Sequence, residues 1–85
     1  AKNEIDIAAL DPEGKNLILG ECKYWKEPVG LNVLHTLEAK ACDVAWERDR
    51  RKVWYVLFSI SGFSDELRNH AATRDDLLLI DDGER

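Results

Sequence analysis

The sequence has no methionine and only two cysteines, two prolines and five glycines in 85 residues. Two cysteines, Cys22 and Cys42, are too few to staple a disulfide scaffold and stand at no metal-ligand spacing. Buried, reduced thiols are expected of them, which suits a cytoplasmic protein. No run of about 18 apolar residues occurs, so no membrane-spanning helix is expected. A basic-then-apolar export segment is absent too, and the chain reads as one domain of a longer protein. Positive charge is in deficit, with 12 Lys and Arg against 17 Asp and Glu, a formal charge of −5. That balance argues against a broad basic footprint on nucleic acid. No internal repeat or low-complexity tract interrupts the chain.

What is present suffices for a core. Apolar residues make up 45% and there are three tryptophans, so a single globular domain over residues 1–85 is expected, with little stability to spare. Residues 3–10, "NEIDIAAL", read as a strand, and Asp11-Pro12-Glu13-Gly14 supplies turn chemistry, with the glycine free to take positive φ. Residues 16–24 form a second strand, stopped before Glu27-Pro28-Val29-Gly30. From 30 to 47, Val33, Leu34, Leu37, Ala41, Val44 and Ala45 recur at helical spacing. The apolar run "KVWYVLFSI", residues 52–60, predicts a strand covered on both faces. Ser64 is an N-cap candidate for a helix to about 74, and "LLLI", residues 77–80, is a last strand. A tight turn makes the first two strands antiparallel; helical crossovers make the last three parallel and the second strand interior. The fold class is α/β, a mixed four-stranded sheet flanked by helices in the order ββαβαβ.

Charges interrupt the first two strands: Glu4 and Asp6 in one, Glu21 and Lys23 in the other. Side chains alternate along a strand, so each pair shares a face. The turn allows two registers. With Leu10 opposite Lys15, Asp6 faces Leu19; with Asp11 opposite Asn16, Asp6 faces Glu21. Both gather the charges on one side of the hairpin. Three clustered carboxylates repel one another, and one lysine does not neutralise them. A hard divalent cation does, and oxygen ligands suit Mg²⁺ or Mn²⁺. The plainer reading is a half-exposed hairpin with ordinary cross-strand Glu-Lys pairs. The ordered Asp-x14-Glu-x-Lys arrangement on an interior strand favours the metal.

Asp6 in "EIDIAAL", with Glu21 and Lys23 in "GECKYW", resembles the signature of the PD-(D/E)xK nuclease superfamily. More narrowly, "NEIDIAALDPEGKNLILGECKYW" is similar to the C-terminal nuclease-like domain of archaeal P-loop ATPases, and "GFSDELRNHAATRDDLLLID" to the final helix-strand unit of these nucleases. The resemblance implies a restriction-endonuclease-like core and metal-dependent phosphodiester hydrolysis of DNA. Asp6, Glu21 and the backbone carbonyl of Cys22 would bind Mg²⁺ (or Mn²⁺), Lys23 would activate the attacking water, and Glu4 would add a further carboxylate. The family's opening helix and strand are missing from this chain, and so is a P-loop. The alternative reading is an inactive interaction or oligomerisation module of the parent ATPase. The expected partners are DNA, the rest of that ATPase, and a second copy through the exposed 3–10 strand.

Other residues admit simpler readings. His35 and His70 lack partners at metal-binding spacing and read as helix-surface histidines. Lys40 borders the apolar helix face, either snorkelling or directed to the site. The basic cluster "ERDRRK", residues 47–52, suits a helix C-terminus or a phosphate. Tyr24 and Trp25 either stack on a base or pack under the following loop.

Overall fold

A computed structural model describes residues 5–47 and 49–81 of the chain. In it β1 (Ile7–Asp11), β2 (Asn16–Lys23), β3 (Lys52–Ser59) and β4 (Leu77–Asp81) form one sheet in that order, with α1 (Leu31–Ala41) and α2 (Asp65–Ala71) as the crossovers. β1 pairs antiparallel with β2, and β2–β3 and β3–β4 are parallel. The element order and pairing expected from the sequence are present. β2 is interior and β1 is an edge.

The turn selects the register. Asp11 accepts hydrogen bonds from the Gly14 N–H at 3.2 Å and from Asn16 Nδ2 at 3.0 Å, clamping Asp11 opposite Asn16. Positive φ falls on Lys15 (58°) rather than on Gly14. Gly14 is needed for a different reason: a Cβ there would come within 2.5 Å of Asp11 Oδ2. The register then runs from Asp11↔Asn16 to Ile7↔Gly20.

Both helices lie on one face. The sheet grows in one direction from β2 to β4, and right-handed crossovers in one direction all fall on the same side. Odd-numbered Leu17, Leu19, Leu57 and Leu77 of the strands are therefore buried against Leu34 and Leu37 of α1 and Leu67 of α2. Val29 and Phe63 close the core where their loops form a short parallel bridge. The expectation that β3 is covered on both faces is overturned. Trp54, Val56 and Phe58 are only half-buried, and neighbouring Ile7, Leu78 and Ile80 are 38%, 55% and 38% exposed.

Element boundaries differ from the sequence reading in three places. β1 begins at Ile7, not at residue 3, so Asp6 lies one residue before it, and Glu4 falls outside the described residues. α1 stops at Ala41 instead of 47. There the chain turns, and Arg51 folds back to donate to the carbonyls of Ala41 (2.7 Å), Val44 (2.6 Å) and Trp46 (2.7 Å). α2 stops at Ala71, short of 74. Its start matches expectation: Ser64 Oγ accepts from the Leu67 N–H at 3.1 Å, with Asp65 and Glu66 in the first turn. No helix among the described residues is long and apolar enough to cross a membrane.

Candidate active site

Strand geometry decides what each residue at the end of β2 presents. In a strand the N–H and C=O of one residue point to the same side, and side chains alternate above and below. The Lys23 carbonyl accepts from the Ile60 N–H at 3.3 Å, so odd residues of β2 direct their backbone toward β3. Even residues face β1. Cys22 is the first of these beyond the β1–β2 ladder, which ends at Ile7↔Gly20. Its N–H donates instead to Asp6 Oδ2 at 2.8 Å. The Cys22 carbonyl points the same way, toward Asp6, while its thiol lies on the face opposite Glu21 and Lys23.

Glu21 points toward the helices and is only 5% exposed. A bare carboxylate at such depth costs several kcal/mol. Two ammonium groups offset that cost. Lys23 Nζ lies 3.5 Å from Glu21 Oε1, and Lys40 Nζ from α1 lies 3.2 Å from Oε2. Asp6 precedes the first paired residue, Ile7, and is exposed, its carboxylate meeting the Cys22 N–H. The hairpin takes the second of the two expected registers and sets Glu21 and Lys23 on one face of β2. Lys40 joins from the helix, so of its two readings the structure supports the site-directed one.

Glu21 is met by two lysines rather than the one expected, while Asp6 accepts from the Cys22 N–H and Glu4, the third carboxylate of the expected cluster, lies outside the described residues. Among the described residues no three His, Cys, Asp or Glu side chains converge as a metal cage. The donor set is two carboxylates and one carbonyl, all hard oxygens. That fits an ion such as Mg²⁺, which keeps several waters and is held by one or two carboxylates.

A pocket of about 120 Å³ opens beside Glu21, lined also by Lys23, Trp25, Asn32, Val33, Thr36 and Lys40. Asn32 and Thr36 escaped the sequence reading. Their signal was available, since 32, 36 and 40 recur every four residues and form a polar stripe beside the apolar one. Trp25 is 42% exposed and Tyr24 74%, so neither packs under the following loop. Lys23 Nζ sits 5.0 Å from the centre of the Trp25 ring, a cation–π contact at the pocket mouth. The Ser61 hydroxyl, between the carbonyls of Trp25 and Glu27, ties that loop to the end of β3. A larger groove of about 500 Å³ lies elsewhere, with Ile18, Trp54, Val56 and Leu78 among its lining. It lacks the convergent carboxylates and lysines of the smaller one.

The remaining candidates have structural roles. Arg51 caps the end of α1; Arg50 and Lys15 pair with Glu47, and Lys52 with Asp75. His35 is exposed, and His70 Nε2 lies 3.1 Å from Arg74 Nη1. Neither cysteine is in a disulfide, but Cys42 is exposed and Cys22 half-buried, contrary to the buried thiols expected. No protein-family model, curated protein or solved structure matches the chain.

Proposed function

We propose that the end of β2 is the site of a metal-dependent nuclease of the PD-(D/E)xK type, acting on DNA and belonging to a larger P-loop ATPase. One observation carries the reading. Asp6 lies one residue before β1 and meets the Cys22 N–H at the end of the hairpin, while Glu21 and Lys23 share one face of the antiparallel neighbour β2. Asp6, Glu21 and that carbonyl would hold Mg²⁺ or Mn²⁺. When bound, such an ion polarises a phosphoryl oxygen and lowers the pKa of its water. Lys23, on the Glu21 face, supplies a positive charge where hydroxide and the developing phosphorane charge must be stabilised. The exposed Trp25 and Tyr24 offer a base a surface to stack on.

The reading is tested by incubating the full-length parent protein with DNA and Mg²⁺ or Mn²⁺. Cleavage should depend on the metal and fall at least about a hundredfold in Lys23→Ala, the scale of losing a principal charge-stabilising group. Asp6→Asn should abolish it while the fold persists. A second reading is a non-catalytic interaction module. The two lysines already paired with Glu21, the charge of −5 and the open apolar sheet face favour it. Metal-independent behaviour of the wild type and equal activity of both variants would select that reading.

A further inference from the structure

Nucleic acid is held by its phosphates or by its bases, and this chain offers little to the phosphates. Its formal charge is −5. Among the described residues, every lysine and arginine except Lys26 already meets a carboxylate or a backbone carbonyl. Lys23 and Lys40 meet Glu21, and Lys15 and Arg50 meet Glu47. Lys52, Arg68 and Arg74 meet Asp75, Asp81 and Asp76, and Arg51 donates to three carbonyls. A duplex turns its phosphates outward and keeps its bases stacked, so its binding draws on a broad set of available cations. The described surface provides no such set. Aromatic surface, by contrast, is gathered at the end of β2, where Trp25 is 42% exposed and Tyr24 74%. The two rings border different hollows, and Lys23 lines both. Trp25 shares the pocket of about 120 Å³ with Glu21, while Tyr24 borders one of about 290 Å³ lined also by Phe58, Ile60 and Ile80.

We infer that the DNA strand taken by this site is unpaired, with Trp25 and Tyr24 stacking bases on either side of the phosphate that Lys23 meets. This rests on the reading of Glu21 and Lys23 as parts of a phosphodiester-cleaving site. A base inside a duplex has both faces covered by its neighbours and must leave the stack before an aromatic side chain reaches it. A base in a single strand is open, and an aromatic ring takes it whatever its sequence. Lys23 provides the link between phosphate and base. Its ammonium lies 3.5 Å from Glu21 Oε1 and 5.0 Å from the centre of the Trp25 ring, so a phosphate meeting it sits beside that ring. The backbone that carries Trp25 is fixed as well. The Ser61 hydroxyl holds the Trp25 and Glu27 carbonyls, and the Val29 N–H donates to the Gly62 carbonyl at 2.9 Å. A ring on a backbone already ordered gives up little freedom on binding. The substrate class is therefore a single strand, a frayed end or a flap, and not continuous duplex.

The test measures fluorescence anisotropy of three short labelled probes with the full 85-residue chain in metal-free buffer, where nothing is cleaved. The probes are an oligodeoxythymidylate, an abasic strand of the same length, and a duplex of that length. The thymidylate should bind at least about tenfold more tightly than the abasic strand, which has the same phosphates and no bases. It should exceed the duplex similarly, with a slope of log affinity against log salt near about −2, as for roughly three phosphate contacts. Trp25→Ala should lose at least about tenfold for the thymidylate and little for the abasic strand, whereas Trp25→Phe keeps a ring and should retain most of the affinity. Circular dichroism verifies that each variant is folded. If Trp25→Ala is not, Tyr24→Ala and the wild-type comparison of the two strands decide the matter. Equal affinity for thymidylate and abasic strands, or for strand and duplex, overturns the preference, and so does a folded Trp25→Ala that binds as wild type does. If Lys23→Ala then still removes metal-dependent cleavage by the parent protein, the nuclease reading stands with a duplex substrate. If no probe binds and the parent protein cleaves neither single-stranded nor duplex DNA, the nuclease reading itself fails, and the preference with it.

Discussion

At the scale of single residues, Glu21 is a buried carboxylate held by two ammonium groups. A carboxylate on an interior strand is retained only because Lys23 and Lys40 meet both its oxygens. Breaking such a pair leaves a charge stranded, which costs more than replacing both members by apolar groups. Lys40→Met should therefore destabilise the fold by about 2–4 kcal/mol in urea denaturation, and adding Glu21→Leu should restore most of it. Lys23 is nearer to solvent, with 28% of its side chain exposed, and Lys23→Ala should cost only about 1 kcal/mol. A double variant no more stable than Lys40→Met would show that Lys40 supports the fold by packing alone.

Elements are held at their ends by side chains distant in sequence. Arg51 donates to the Ala41 carbonyl at the end of α1 and to the Val44 and Trp46 carbonyls in the turns beyond it. Arg51→Met should cost about 2–3 kcal/mol, and lysine should rescue little of it, because one ammonium cannot reproduce the planar fork. Arg74 works similarly between helices and sheet, bonding Asp76 at 2.9 Å and Glu38 of α1 at 2.8 Å. Its hydrogen bond holds the Asp76 carboxyl below its ordinary value of 3.8 against the opposing effect of burial. With the folded pKa depressed, the stabilisation is fully present above the ordinary value and is lost as pH falls through the lower folded one. Between pH 5 and 3, roughly, wild-type stability should thus fall more steeply than that of Asp76→Asn, as measured by urea titration across the range.

For the whole molecule, the consequential feature is a parallel-rich sheet with both helices on one side. Such sheets are usually covered on both faces. β1 adds an open edge, and its hydrogen bonding is directional. Ile7, Ala9 and Asp11 turn their backbone groups to β2, leaving the Ala8 and Leu10 groups facing outward. Edges of this kind recruit strands. Self-association through β1 should appear in sedimentation velocity as a dimer that grows with concentration. Ala8→Pro, which removes an outward N–H without touching the β1–β2 ladder, should return the chain to monomer. A wild type that stays monomeric at high concentration would exclude this edge as a self-association surface.

The sequence by itself determined the element order, the antiparallel hairpin, the parallel crossovers and the shared face of Glu21 and Lys23. These follow from local periodicities and turn residues, which act over a few positions. It also narrowed the hairpin to two registers without choosing between them, since the choice rests on hydrogen bonds from Gly14 and Asn16 to the Asp11 carboxylate. Only the tertiary structure decided the rest. A long apolar run carries no information about which of its faces is covered; the direction in which the sheet grows placed both helices on one side. The helical pattern ran on past Ala41, and the return of Arg51 marks where the helix ends. Lys40 stands 19 residues from Glu21, and no periodicity joins them. Their meeting depends on how α1 is laid across the sheet, where apolar packing sets the distance and the charges must follow.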